Sequence, residues 1–294
     1  MGRVVVKKKG ESIMTYRLLA LNIDETLIGS NAKISKQTKA AIEYVRQKGV
    51  YVTLVTSRPH SSAKRIAKSL KLDGYLITND GAFVASDPED PLYVKRISVN
   101  TTLQLVELLE QYDCHIRVLH ESFAIGNKTR QKNQLIAKMT IGVGDPLFYP
   151  VSFVDSVYDR LMQEAIAPPK IQVQFFDEAE QQSALKQLNE MVSGVNIVSI
   201  REGKLEIVAE GVSKLNGLQQ VGQELGISLQ EMVAVGIEAD DVEMVEQVGL
   251  GVAMGNAADE VKHVADWITR SNEQNGVSYM IREVFRKQLR VQVE

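Results

Sequence analysis

The N-terminal part of the chain alternates short apolar runs with longer amphipathic segments, and this alternation restricts the fold more than any other sequence feature. Tyr16–Ile23, Val50–Val55 and Tyr75–Thr78 have the length and residue types of buried β-strands. Ser35 precedes one intervening segment as a helix N-cap, and Pro59 opens the other. The order strand, helix, strand, helix, strand predicts right-handed βαβ units and a parallel sheet in an α/β fold.

The character of the sequence changes after Ala85. Asp87–Pro91 is acidic and rich in turn-forming residues, and a new set of strand and helix patterns follows it. After Lys214 the earlier alternation resumes. We therefore predict a Rossmann-like parallel-sheet core interrupted by an inserted α+β domain. The predicted boundaries are 1–13 for a loose N-terminal extension, 14–85 and 203–294 for the core, and 86–202 for the insert.

Charge, cysteine content and hydropathy narrow the classes of partner. The formal net charge is −3, with basic and acidic residues mixed along the chain, which argues against nucleic acid as the main partner. The single cysteine, Cys114, cannot form an internal disulfide, which is typical of a reducing cytoplasm. No apolar run approaches the length of a membrane-spanning helix. We therefore expect a cytoplasmic protein whose ligand is a small, phosphorylated molecule or a protein.

Polar clusters follow the predicted strands. Asn22–Thr26, Thr56–Arg58 and Asn79–Gly81 each come directly after, or at the end of, an apolar run. Two further clusters are Ser213–Lys214, at a predicted helix start, and the acidic loop Gly236–Asp241. Ligands of parallel sheets bind beyond the carboxyl ends of the strands. The sequence therefore predicts one site that is built from these clusters.

Four of these clusters, taken in order, resemble the four motifs of the haloacid dehalogenase (HAD) superfamily. The family pattern is DxDxT, a Thr or Ser after the second strand, a Lys at a helix start, and an acidic GDxxND or GDxxxD loop. Gly251–Asp266 and Ser271–Val277 also resemble the C-terminal segments of the Cof-type subfamily. The resemblance runs from Tyr16 to about Glu283 and is greatest to Bacillus-type stress-response members of that group. It implies a HAD core with a C2-type cap that closes over the site and selects the substrate.

The resemblance also implies a reaction, the Mg²⁺-dependent hydrolysis of phosphate monoesters of small metabolites such as sugar phosphates. In the family, one aspartate attacks phosphorus and a second protonates the leaving group. By this resemblance Asp24 is the general acid/base, and its backbone carbonyl is a metal ligand. Thr56, Ser57 and Lys214 are implied to hold the phosphate. Asp241 matches the last metal-binding residue of the acidic loop.

Two positions depart from the family pattern. Asn22 stands where the nucleophilic aspartate belongs, and an amide oxygen is a much weaker nucleophile than a carboxylate. Ile237 replaces a metal-binding aspartate, and its side chain cannot ligate a cation. Glu238 and Asp240 keep the local number of carboxylates unchanged, so Mg²⁺ binding in an altered geometry and plain solvation of these loop residues are both open.

Three further residues lie at the same strand ends or loops and are candidates either for lining the site or for structural hydrogen bonding. They are Arg58, Asn79 and Asn256.

Two functional hypotheses follow from these observations. The first is a Cof-type phosphohydrolase homologue whose activity is weak or lost. The second is a catalytically silent regulator, in stress response by analogy, that binds a phosphorylated ligand or a protein.

Overall fold

The computed structural model describes residues 15–29, 33–128, 150–201 and 203–288, with the side chains of 199–201 excepted. The predicted extension at 1–13 lies outside the described residues. Within these ranges the strands form three sheets. In the described part of the chain no helix combines the length and the hydropathy needed to cross a membrane.

The strands, in chain order, are β1 (Leu18–Leu21), β2 (Tyr51–Leu54), β3 (Leu76–Thr78), β4 (Phe83–Ala85), β5 (Tyr93–Val94), β6 (Cys114–Leu119), β7 (Ala124–Asn127), β8 (Val151–Val154), β9 (Lys170–Phe175), β10 (Val195–Arg201), β11 (Lys204–Ala209), β12 (Met232–Gly236), β13 (Leu250–Ala253) and β14 (Trp267–Ile268). The α-helices are α1 (Lys36–Gln47), α2 (His60–Ser69), α3 (Val99–Leu109), α4 (Val157–Gln163), α5 (Glu178–Met191), α6 (Lys214–Leu225), α7 (Val242–Gln247), α8 (Asp259–Val264) and α9 (Gly276–Phe285). Single 3₁₀ turns cover Asn79–Gly81, Leu229–Glu231, Ala239–Asp241 and Asn272–Gln274.

The first sheet is parallel, with strand order β14-β13-β12-β1-β2. Central strand β1 is fully buried, with Leu19 and Leu21 in one hydrophobic cluster and Leu18 and Ala20 in another. Helices α1 and α9 contribute to the first cluster, and α6 contributes to the second. A strand covered on both faces reads as a continuous apolar run, which explains the sequence pattern. The predicted α/β fold with a parallel-sheet core is confirmed.

Helix α1 begins where the sequence predicts. The Ser35 hydroxyl accepts a hydrogen bond from the Thr38 backbone N–H (3.1 Å), as an N-cap does. Ala41, Ile42 and Val45 are buried on one side of the helix, against the sheet. The helix therefore fixes the segment between β1 and β2, whose carboxyl ends carry the first two polar clusters.

The third predicted strand does not extend the parallel sheet. β3 meets the first sheet through one bridge, between Val55 and Ile77, and pairs antiparallel with β4 in a small sheet of order β3-β4-β5. The physical reason is the tight turn at Asn79–Gly81, which reverses the chain directly after β3. The backbone groups of β3 therefore form hydrogen bonds with β4.

The second sheet has the strand order β10-β11-β9-β6-β7-β8. Helices α3 and α5 pack on it and share its hydrophobic cluster. Strand β11 pairs antiparallel with both β10 and β9, so it belongs to this sheet. The predicted boundary at residue 203 falls inside the β10–β11 hairpin, and we propose that the chain returns to the first sheet after Ala209.

His60, the first residue of α2, is buried without polar partners. Its ring packs edge-on against Phe83, with 5.4 Å between centroids, and neither ring nitrogen has a hydrogen-bond partner among the described residues. Burial, with a smaller contribution from Lys64, lowers the pKa of His60 from 6.5 to about 4.

We expect the free energy of unfolding to fall as the pH is lowered from 6.5 toward 4. Unfolded His60 takes up a proton in this window and folded His60 does not, so acid favours the unfolded chain. This residue alone should contribute a loss of about 1 to 2 kcal/mol between pH 7 and pH 5. Urea unfolding of the wild type and of His60→Phe at both pH values measures it. An equal pH-dependent loss in both proteins would contradict the expectation.

Candidate functional site

Asn22 and the acidic loop meet because β1 and β12 are neighbours in the first sheet. Asn22 is buried, and its Nδ2 donates a hydrogen bond to Asp241 Oδ2 (2.9 Å). Its Oδ1 accepts one from the Ile23 backbone N–H (2.6 Å). The amide therefore has a fixed orientation, with its N–H side toward Asp241.

Asp241 is the centre of a buried network. Its Oδ2 also accepts hydrogen bonds from the backbone N–H groups of Ile237 (2.8 Å) and Glu238 (3.2 Å). Its Oδ1 accepts one from Lys214 Nζ (2.7 Å). Lys214 Nζ lies 2.9 Å from Asp240 Oδ2 as well. The ammonium group of Lys214 thus pairs with two carboxylates at the end of the sheet.

The pKa values of Lys214 and Asp240, which flank Asp241, are both raised, but for different reasons. Burial alone would lower the pKa of Lys214, but the carboxylates of Asp241 and Asp240 raise it above its usual range, so Lys214 stays charged. Burial raises the pKa of Asp240 to about 6, in spite of the opposing effect of Lys214.

The donor groups at this end of the sheet do not fit the Mg²⁺ that the family resemblance implies. Both oxygens of Asp241 are engaged by N–H donors, and the Asn22 oxygen accepts from a backbone N–H. Ile237 is buried and offers no ligand atom. Mg²⁺ requires several oxygen ligands in near-octahedral geometry. Across the described ranges, no three His, Cys, Asp or Glu side chains are grouped so that they could hold a metal ion.

Asp24, the predicted acid/base, forms a bidentate ion pair with Arg58. Arg58 Nη2 lies 2.6 Å from Asp24 Oδ1, and Nε lies 2.8 Å from Oδ2. The buried hydroxyl oxygen of Thr56 accepts a hydrogen bond from the Arg58 backbone N–H (3.2 Å). Arg58 therefore orders both the carboxylate of Asp24 and the loop after β2.

Other predicted site residues lie apart from these networks. Asn256 bridges loops, because Nδ2 donates to the Glu25 carbonyl (3.0 Å) and Oδ1 accepts from the Asn272 N–H (3.1 Å). Asn79 is fully buried, and its side-chain amide has no hydrogen-bond partner among the described residues. The backbone carbonyl of Ser57 accepts a hydrogen bond from Lys170 Nζ (3.1 Å).

Sequence reasoning missed a buried ion triad between the Asn79–Gly81 turn and the second sheet. Lys170 Nζ contacts Asp80 Oδ2 (2.5 Å) and Glu206 Oε2 (2.6 Å), and all three residues are buried. The two carboxylates raise the pKa of Lys170 against the effect of its burial. A signal was present, because Lys170 and Gln172 occupy one face of β9, opposite its apolar side chains.

The backbone of the Asn79–Gly81 turn explains how Asp80 reaches this triad. Asn79, Asp80 and Gly81 all have positive φ (49°, 59° and 96°), a conformation that is strained for the two residues with side chains. A Cβ on Gly81 would lie 2.0 Å from the Ser213 carbonyl oxygen. Only glycine allows the turn to lie this close to the start of α6, where Lys214 is located.

The structure therefore brings the predicted residues together in two groups. Asn22, Lys214, Asp240 and Asp241 form one bonded network. Asp24, Thr56 and Arg58 form a second group. A cavity of about 490 Å³ adjoins the first group and is also lined by residues of α5 and β10 from the second sheet.

Comparisons with known proteins agree in sequence and in fold. Residues 19–281 match the profile of the haloacid dehalogenase-like hydrolases. The chain is 49% identical over 277 residues to the stress response protein YhaX of Bacillus subtilis strain 168, covering 94% of this chain and 96% of that protein. It is 29% identical over 266 residues to the 5-amino-6-(5-phospho-D-ribitylamino)uracil phosphatase YcsE of the same organism, with coverage of 90% and 94%.

Among solved structures, the fold is similar to that of the HAD subclass IIB sugar phosphatase BT4131. The TM-score is 0.76 at 21% sequence identity, and the match covers 91% of this chain and 98% of that one. The expected resemblance to Cof-type and stress-response members is therefore confirmed, and this chain belongs to the haloacid dehalogenase-like hydrolase family.

Proposed function

We propose that this protein binds a small phosphorylated metabolite at the carboxyl end of its parallel sheet and has weak or no phosphatase activity. The observation that carries the proposal is the hydrogen bond from Asn22 Nδ2 to Asp241 Oδ2. It fixes a neutral amide at the position of the family nucleophile, with its N–H side toward Asp241. The amide oxygen is held by the Ile23 N–H and lacks the charge that drives attack on phosphorus.

The expected loss of activity is large. In a hydrolase of another class, removal of the nucleophile lowers turnover by about 10⁶-fold. Phosphate monoesters hydrolyse so slowly in water that an enzyme needs nearly all of its catalytic groups. The Asp241 oxygens are engaged by N–H donors and Ile237 offers no ligand, which removes metal ligands in addition to the nucleophile. No step of a metal-assisted reaction is therefore assigned to this site.

Groups that can hold a phosphate remain. Thr56 uses its oxygen as an acceptor, which leaves its own O–H for donation to a ligand. Arg58, after β2, and Lys214, at the start of α6, are cationic groups that each pair with a carboxylate and can also donate N–H groups to a phosphate. A regulatory role in stress response is the second candidate function, and the name of the 49% identical relative favours it.

We expect the wild type to show no turnover above background with Mg²⁺ on p-nitrophenyl phosphate or a panel of sugar phosphates. The double variant Asn22→Asp/Ile237→Asp should gain activity, and Ile237→Asp alone should not, because it lacks the nucleophile. Wild-type turnover equal to that of the double variant would contradict the loss of catalysis. Absence of any thermal stabilisation by the same sugar phosphates would contradict retained ligand binding.

A further inference from the structure

The cavity beside the acidic loop has two contrasting sides. Its wall on the second sheet is largely apolar, with Leu185 from α5 and Ile197 from β10. Its opposite side is charged and is formed by Asp80, Lys214 and Asp240. The volume of about 490 Å³ is many times that of a single water molecule and accommodates a small organic ligand.

Two buried carboxylates in this cavity each have one unmatched oxygen. Asp80 Oδ2 contacts Lys170 and Asp240 Oδ2 contacts Lys214, at 2.5 Å and 2.9 Å. Neither Oδ1 has a hydrogen-bond partner within the described ranges. Asp80 is 1% exposed, and the side chain of Asp240 is 9% exposed. A buried charged acceptor without a donor is costly, and a bound ligand that carries N–H groups can supply the donor.

The charged groups around the cavity indicate whether a bound ligand carries positive or negative charge there. The carboxylates of the lining and of its ion pairs are Asp80, Glu206, Asp240, Asp241 and Glu243. The ammonium groups that face them are Lys170, Lys204 and Lys214. Carboxylates therefore exceed ammonium groups, so this part of the cleft attracts a cation more than an anion, while Thr56 and Arg58 lie outside the lining and remain available to a phosphate.

We propose that this cavity binds the ammonium group of a small organic amine, with Asp80 Oδ1 and Asp240 Oδ1 as its acceptors. An ammonium group carries three N–H donors, and its carbon body can contact the apolar wall. Asn189 and Asn196, both exposed at the cavity, offer amides to ligand hydroxyl groups. The inference rests on the proposed function, because it names a second charged group on the ligand of the same cleft.

A two-by-two set of ligands separates the amine from the phosphate. Glucose, glucosamine, glucose 6-phosphate and glucosamine 6-phosphate are titrated calorimetrically into the wild type, with putrescine and butane-1,4-diol as an amine and neutral pair of another shape. We expect the amino group to tighten binding about tenfold in at least one matched pair. The phosphate comparison tests the proposed function independently of the amine comparison.

Asp240→Asn is the informative variant, because its amide oxygen can still accept from Lys214 while the negative charge is lost. It should abolish the tightening due to the amino group. Glu190→Gln removes an exposed charge from α5, outside the cavity, and should retain the tightening. The proposal is overturned if no amine binds more tightly than its neutral partner, or if Asp240→Asn retains the effect. Stabilisation by MgCl₂ alone that Asp240→Asn abolishes would also overturn it, in favour of a metal site.

Discussion

Asn22→Asp is expected to lose about 3 kcal/mol of its free energy of unfolding at neutral pH without divalent cations, although it restores the family residue. The new carboxylate oxygen would replace an N–H donor 2.9 Å from Asp241 Oδ2. Both positions are buried, at 4% and 0% exposure, so solvent screens the repulsion poorly. Two carboxylates this close share a proton or require a cation between them.

The same variant should respond to Mg²⁺ where the wild type does not. Two facing carboxylates form an oxygen-rich pair, which Mg²⁺ prefers to the amide and carboxylate now present. Mg²⁺ at about 100 times its dissociation constant would raise the free energy of unfolding of the variant by about 2.7 kcal/mol. Urea unfolding in EDTA and in MgCl₂ measures both effects.

The control for this variant is Asn100→Asp, which adds the same charge at an exposed position in α3. It should change stability by less than about 0.5 kcal/mol, with no response to Mg²⁺. If Asn22→Asp is as stable as the wild type in EDTA, Lys214 alone neutralises the pair, and the present amide is not required for stability.

The convergence of Asn22, Lys214 and Asp241 could be predicted from the sequence because it depends on local rules. Continuous apolar runs identify strands that are covered on both faces, and the carboxyl ends of parallel strands meet at one edge. The resemblance to the family motifs then indicated which residues at those strand ends were candidate site residues. The bonded network among these three residues follows the prediction, although their chemical roles stay proposals.

The ion triad could not be predicted in the same way. Asp80, Lys170 and Glu206 are distant in the chain and meet only through the packing of the second sheet against the Asn79–Gly81 turn. Asn, Asp and Gly favour the three consecutive positive φ values of this turn, but the sequence does not show which distant residues the turn contacts. The same long-range pairing places β11, which begins after residue 203, beside β9 in the second sheet.

Lys170→Met is expected to lower the free energy of unfolding by about 3 to 5 kcal/mol. Lys170 is fully buried, and its removal leaves the carboxylates of Asp80 and Glu206 without their shared cation. The pKa of Glu206, which burial would raise, is held at about 2 by Lys170 and Lys204. Loss of Lys170 therefore makes ionised Glu206 costly, and urea unfolding at neutral pH measures the effect.

Lys204→Met is the matched control, because Lys204 also pairs with Glu206 (2.8 Å) but its side chain is 37% exposed. It should cost less than about 1 kcal/mol. The neutral triple variant Lys170→Met/Asp80→Asn/Glu206→Gln should regain most of the loss, because the penalty comes from unpaired buried charge. If Lys170→Met costs no more than Lys204→Met, the triad does not stabilise the contact. Because Lys170 and Glu206 lie on the second sheet while Asp80 follows β3, a large loss would show that one ion cluster holds this sheet against the site.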